Sequence, residues 1–274
     1  MPTCRRRFRS GALAGVFYAP PGPCPCSKLH TACKSVSPVN IVAAVKRGGQ
    51  RRDRSWKTGR WVSRSYRFVL PGLPLRETEW RGCLEALAGT EPRPKFVVAS
   101  GSLPPGVPND FYAQAAAIAR KLGAKFVVDT SGAPLAAAIE HGVYMIKPNL
   151  REMRDLVGVE LLKQNDWIIA AREYISAGKV EVVALSLGHL GALLVTRDQA
   201  LRAPPLPIKP VSAVGAGDSF LGAVIFSLAR GDSLTDAFRL GMAAGSAALI
   251  NAGTELCRPE DVYRLYTTAT IESL

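Results

Sequence analysis

No run in this sequence approaches the ~18 to 20 consecutive apolar residues that a membrane helix needs, so no spanning helix is predicted. No G-x-x-x-x-G-K-[ST] element occurs, which removes a P-loop mechanism, and a dinucleotide fingerprint starting at Gly215 fails because Phe220 stands where its third glycine would be. Histidine is scarce, and His141 and His189 have no evident triad partner. Acids are almost missing from the first 65 residues, where Asp53 alone faces ten Arg and four Lys, so the whole net charge of +13 sits there. Residues 66–274 balance 21 basic against 21 acidic groups. Two compositions meet near residue 65. With 274 residues and 47% apolar content, the chain can still bury a sizeable core.

The basic segment, residues 1–65, supports several readings. CRRRFR followed by GALAGVFYA has the order of an export signal, but the apolar stretch is short and no A-x-A cleavage site follows. Cys4, Cys24, Cys26 and Cys33 lie here, and the last three with His30 could be taken for a zinc cluster, although C-x-C with proline between is not a structural-zinc spacing. KRGGQRRDRSWKTGRW mixes cationic side chains with Trp56 and Trp61, a composition able to engage a nucleic acid by charge and stacking. Apart from SVSPVNIVAAV the segment has no sustained periodicity. Its richness in Arg, Pro, Gly, Cys and Trp is also what a GC-rich gene yields when read out of frame. A segment without an evolved fold is the reading these features favour.

From Lys95 onward short apolar runs alternate with longer helical patterns, which predicts parallel strands joined by crossover helices. KFVVAS, AKFVVDT, VYMIKPN and VEVVALSLG read as strands, with helices between them, and ALLVTRD reads as an antiparallel strand after a tight turn. DSFLGAVIFSLARG and SLTDAFRLGMAAGSAALIN read as apolar helices, and RPEDVYRLYTTA closes the chain. The predicted architecture is an open α/β sheet covered by helices. In such sheets ligands gather where the carboxyl ends of strands meet their loops, so those loops carry the functional candidates.

VGAGDSF, residues 214–220, places Gly215 and Gly217 at the start of a helix, where backbone N–H groups and the helix dipole favour an anion. Asp218 in such a cradle repels the anion unless it has a task, and accepting the proton of an attacking hydroxyl is one. Capping the helix is an equal alternative. KPNLRE, residues 147–152, aims Asn149 and Glu152 at the strand ends, where they could hold the water shell of a magnesium ion, or form a capping box, or both. SLGHLGA, with Ser186, Gly188 and Gly191, could let a nucleotide lie against backbone or could be a plain hairpin. SGSLPPG, residues 100–106, offers the Ser102 hydroxyl to a substrate.

YRFVLPG, SGSLPPG, KPNxxE, SLGxxGA, VGAGDSF and AAGSAALINAGT, in this order over about residues 66–266, resemble the ribokinase-like (PfkB) carbohydrate kinases, and within them the 6-phosphofructokinase branch. The resemblance implies a ribokinase-like, mostly parallel sheet flanked by helices, and ATP-dependent phosphoryl transfer to a hydroxyl of a phosphorylated sugar. Fructose 6-phosphate is the acceptor it implies, with fructose 1-phosphate and tagatose 6-phosphate as alternatives within the family. It makes Asp218 the catalytic base and the Gly215, Ala216 and Gly217 amides the anion hole. Lys147 and Asn149 would touch nucleotide phosphates, Glu152 would act on Mg2+ through water, and Ser186, Gly188 and Gly191 would line the ATP site. Met242 and Ser246 would fall on the helix walling the adenine pocket, and Ser102 would contact the sugar phosphate. Ser212, Val214, Ala248, Asn251, Gly253 and Glu255 match the shell of a monovalent cation, K+ by resemblance.

The departure lies at the amino end. The family's first strand, N-P-x-x-D segment, G-G-K-G-x-N-type glycine motif and β lid have no match in residues 1–65, and YRFVLPG stands as the last remnant of the lid. The expectation is therefore a body, residues 66–274, that keeps the ATP side but few sugar contacts, with weak or no turnover. A homodimer built through the lid is not expected, and an apolar sheet edge should be left bare. A cytoplasmic enzyme of sugar phosphate and ATP is the main reading. A non-catalytic scaffold with a basic, nucleic-acid-binding head is the alternative from another class.

Overall fold

The computed structural model describes residues 15–17, 40–43, 48–57, 60–69, 73–252 and 256–274, with backbone only before residue 73. The CRRRFR opening, Cys4, Cys24, Cys26, Cys33 and His30 lie outside the described residues, as do Gly253 and Glu255. Early in the chain come strands β1 (Gly15–Phe17) and β2 (Asn40–Ala43), then a hairpin of β3 (Gly48–Lys57) and β4 (Arg60–Val69) that forms its own two-stranded sheet. YRFV is the end of β4, within that separate sheet.

Next come α1 (Glu77–Ala88), β5 (Phe96–Ser100), α2 (Phe111–Lys121), β6 (Lys125–Asp129), α3 (Ala133–Glu140), β7 (Val143–Ile146), α4 (Leu150–Val157), α5 (Gln164–Ser176) and β8 (Val180–Ser186). A 3₁₀ turn at Gly188–Leu190 leads to β9 (Ala192–Val195) and β10 (Ala200–Ala203). The chain then forms α6 (Ala216–Arg230), α7 (Leu234–Leu249), α8 (Pro259–Tyr266) and β11 (Glu272–Ser273). Among the described residues the main sheet runs β1-β2-β5-β6-β7-β8-β9-β10-β11. The pairs from β2 through β8 are parallel, and those from β8 to β11 are antiparallel.

The strands are buried on both faces, which is why they read as continuous apolar runs. Their two faces still separate with period two. Val97, Ala99, Phe126, Val128, Ile146, Val183 and Leu185 pack under α1, α2, α3 and α5. Phe96, Val98, Val127, Met145, Val182 and Ala184 pack under α6 and α7. The bare edge expected beside β5 is corrected: β2 pairs there in parallel, Asn40 opposite Val97 through Ala43 opposite Ser100, and it falls in the SVSPVNIVAAV run of the basic segment.

Helices α6 and α7 touch through small residues. A Cβ on Gly241 would stand 2.5 Å from Val224 Cγ2, and one on Gly245 would stand 3.2 Å from the Ala216 carbonyl. Phe220 and Phe238 meet edge to face beside them, with ring centroids 6.1 Å apart. The close approach seats α7 against the first turn of α6, the turn that carries VGAGDSF. Gly241→Ala should therefore lose about 1–3 kcal/mol by overpacking. Gly222→Ala, mid-helix with nothing within 4 Å of the new methyl, should gain up to about 1 kcal/mol from helix propensity. Denaturant midpoints of the two variants check the opposite signs.

Candidate active site

Four turns converge at the carboxyl ends of β5 to β8. Gly215 opens α6 at φ +81°, a left-handed conformation that a side chain would strain, and it turns the chain so that Ala216 and Gly217 begin the helix. The first N–H groups of that helix have no intrahelical acceptor and point outward, a ready site for an anion. Asp218 lies in this first turn with its carboxylate exposed, not among the apolar side chains. Its Oδ1 accepts a hydrogen bond of 3.1 Å from the Ser100 hydroxyl at the end of β5. Tyr112, from α2, donates to the Gly101 carbonyl at 2.9 Å and the Gly101 N–H donates to the Asp129 carbonyl at 2.9 Å, so the turn holding Ser100 is fixed from two sides.

Lys147 follows β7 directly after Ile146, which pairs with Val128; this sets Lys147 beside Asp129. Their side chains are 8% and 16% exposed and form an ion pair of 3.1 Å. A Cβ on Gly217 would lie 3.1 Å from the Lys147 ammonium nitrogen, so the ammonium sits against the first turn of α6. Burial pushes the Asp129 carboxyl above its ordinary value more than Lys147 pulls it down, and the negative charges of Asp218 and Glu152 add to the rise.

Asn149 and Glu152 form the reciprocal capping box. The Glu152 N–H donates to Asn149 Oδ1 at 2.9 Å, and the Asn149 N–H donates to Glu152 Oε2 at 2.9 Å. Among the described residues no cluster of three or more His, Cys, Asp or Glu side chains is arranged to cage a metal. Glu152, with Asp129 near enough to feel its charge, fits a magnesium ion held through its water shell and by phosphate oxygens, which is the usual way this ion is bound.

Ser186 donates from both its N–H (3.0 Å) and its hydroxyl (3.4 Å) to the Pro148 carbonyl, which ties the KPN turn to the SLG turn. The SLG turn joins antiparallel β8 and β9. Gly191, at φ +91°, is demanded by the chain itself, since a Cβ there would stand 2.2 Å from the Ala203 carbonyl. Gly188, at φ +61°, faces open space. Met242 and Ser246 are both buried on α7, Met242 in the cluster with Phe220 and Phe238.

The N–H groups of Val211 and Ser212 donate to the Leu249 carbonyl at 2.7 and 3.1 Å, and the Val214 N–H donates to Ser212 Oγ at 3.3 Å. This lays Ser212 and Val214 against the end of α7, where Ala248 and the buried Asn251 sit. Four of the six monovalent-cation candidates thus gather at one place. Ser102 lines a cleft of about 380 Å³ with Leu103 to Val107, Asn109, Thr130, Ser131 and Pro134. Thr130 Oγ1 is buried there and has no hydrogen-bond partner among the described residues. His141 and His189 are exposed.

Sequence reasoning missed Ser100 and Asp129. Each is the last residue of its strand, and the strand-end rule that picked Ser102 and Lys147 reaches both.

The model of the "pfkB family carbohydrate kinase" matches residues 90–261. An ATP-dependent 6-phosphofructokinase isozyme 2 of Mycobacterium tuberculosis is 45% identical over 208 residues, 76% of this chain and 61% of that protein. A 1-phosphofructokinase of Rhodobacter capsulatus is 37% identical over 185 residues, 65% of this chain and 56% of the relative. The crystal structure of Escherichia coli phosphofructokinase-2 in complex with potassium superposes with a TM-score of 0.71 at 42% identity, over 75% of this chain and 66% of the other. The chain spans about three fifths of the length of the curated relatives it matches.

Proposed function

The chain belongs to the pfkB family of carbohydrate kinases, and from that premise we propose that it transfers the terminal phosphoryl group of ATP to a hydroxyl of a phosphorylated sugar. Fructose 6-phosphate is the acceptor proposed first, giving fructose 1,6-bisphosphate. The names of the two relatives, 6-phosphofructokinase and 1-phosphofructokinase, support a fructose phosphate but come from proteins this chain only partly spans.

One observation carries the reading: an exposed carboxylate, Asp218, stands in the first turn of α6 beside helix N–H groups that have no acceptor within the helix, and it is oriented by Ser100. Asp218 accepts the acceptor hydroxyl's proton as that oxygen attacks. The amides at Gly215, Ala216 and Gly217 offer donors to the phosphoryl oxygens, whose charge is spread over the transition state. Lys147 adds a cation on the same side. Glu152 and Asp129 would hold Mg2+ through water, and the ion when bound neutralises the nucleotide phosphates.

The oxygen donors of Ser212, Val214, Ala248 and Asn251, with Gly253 and Glu255, would take a monovalent cation, for which the potassium complex of the E. coli protein is the support. Ser102 would meet the sugar phosphate at the mouth of its cleft.

Turnover is expected to be slow, because residues 1–65 hold no glycine motif of the sugar-binding type. A panel of fructose 6-phosphate, fructose 1-phosphate and tagatose 6-phosphate with ATP decides the acceptor; turnover at ordinary kinase rates would contradict the expected slowness. Ser100→Ala removes the one side-chain hydrogen bond to Asp218 among the described residues. It should lower kcat about tenfold, roughly the free energy of one such bond, with KM for ATP unchanged. An unchanged kcat would show that Asp218 is oriented by other means.

A further inference from the structure

We propose that Asp129 is a positioning residue that holds the Lys147 ammonium against the first turn of α6, facing the terminal phosphoryl group. The inference rests on the reading of that turn as the phosphoryl site. A lysine carries three donors on a stem of four rotatable carbons, and fixing such a side chain opposes ligand binding unless the protein has already ordered it. Here the protein's own groups supply the order. The Lys147 side chain is 8% exposed, and its nitrogen lies 3.1 Å from Asp129 Oδ2 and 3.1 Å from where a Gly217 Cβ would be. The β6–β7 register, Val128 opposite Ile146, places the two residues side by side, and the Lys147 N–H donates to the Val128 carbonyl at 3.3 Å.

The sign of the effect separates positioning from simple electrostatics. A carboxylate close to a polyphosphate site repels the ligand, so removing it should tighten binding if charge were all that mattered. If Asp129 instead aims Lys147, removing it should weaken binding of whichever nucleotide reaches the first turn of α6. ATP carries the extra phosphoryl group that does so, and ADP does not.

The test measures binding of ATP and of ADP to the full chain in EDTA, so that no metal ligation contributes. Asp129→Asn is expected to weaken ATP about five- to tenfold and to change ADP less than about twofold. Asp129→Glu should restore most of the ATP affinity. In a Lys147→Met background Asp129→Asn should cause no further weakening of ATP binding, which isolates the coupling between the pair. Tightening of both nucleotides by Asp129→Asn would overturn the proposal. So would equal weakening of both.

A second measurement needs no nucleotide. Acetylation of Lys147 by acetic anhydride, followed by mass spectrometry under conditions where near-UV dichroism shows each variant folded, should be slow in the wild type. It should be about tenfold faster in Asp129→Asn and intermediate in Asp129→Glu. An unchanged rate would overturn the proposal. Were the wild type to bind neither nucleotide, the phosphoryl-site reading would fail, and the labelling would still decide whether Asp129 holds Lys147.

Discussion

Asp218→Asn is expected to lower phosphoryl transfer by about 10²- to 10⁴-fold, the range a positioned general base contributes, while nucleotide binding is unchanged or tighter, since a charge that repels phosphate is gone. The asparagine keeps the shape of the side chain and can still accept from Ser100, whose hydroxyl lies 3.1 Å from Oδ1, so the geometry at the first turn of α6 survives. What is lost is a group able to take the proton. The loss should appear in kcat rather than in KM for ATP, because the role proposed for the carboxylate is on the acceptor hydroxyl and not on the nucleotide. Stopped-time assays with saturating ATP, beside equilibrium binding of ATP to the same preparation, give both numbers. Full transfer by the variant would remove Asp218 from the mechanism.

Lys147→Met is expected to destabilise the fold by about 3 kcal/mol at neutral pH, because it leaves a largely buried carboxylate without its cation. The loss should depend on pH in a defined direction. In the wild type the Asp129 carboxyl already sits above its ordinary value of 3.8, burial outweighing the pull of Lys147. Without that pull it rises further. A carboxyl whose folded value is raised binds more protons folded than unfolded between the two values, so stability falls as pH rises through that window. The destabilisation should therefore be least in acid, where Asp129 is neutral in both states, and should grow as pH increases through its folded value. Asp129→Asn/Lys147→Met, which neutralises both partners, should recover much of the loss and remove its pH dependence. Thermal midpoints across an acid-to-neutral series check both. A deficit that stays constant with pH would mean that Asp129 does not titrate in the pocket.

Much of the architecture is legible in the sequence because the strands are buried on both faces and the helices carry apolar stripes. VEVVALS becomes β8 and FVVAS becomes β5 with scarcely shifted ends. The helix α1 was legible in principle, since Trp80, Leu84 and Leu87 recur at four and three residues and are all buried. It escapes a reading by alternation because it lies next to the compositional break, before the strand–helix alternation begins at Lys95. Strand β10, Ala200–Ala203, is too short to show any period.

The site divides along the same line between local and distant causes. The capping box of Asn149 and Glu152 is a three-residue pattern and was readable; it is present in full. The Lys147–Asp129 pair is not readable, because its members are 18 positions apart and meet only through the pairing of β6 with β7. The hydrogen bond from Ser100 to Asp218 spans 118 positions. Gly191 has a local cause of its own, which spacing does not show: a Cβ there would stand 2.2 Å from the Ala203 carbonyl. Gly217, by contrast, carries no positive φ, and its absent side chain leaves room for Lys147.

Transfer of label from [γ-³²P]ATP to fructose 6-phosphate, run with enzyme in excess over ATP and followed over hours, tests the whole account. The expected result is a labelled sugar bisphosphate that forms slowly with the wild type and is undetectable with Asp218→Asn. Label appearing only as inorganic phosphate, or on no acceptor in the panel while ATP is bound, would contradict it.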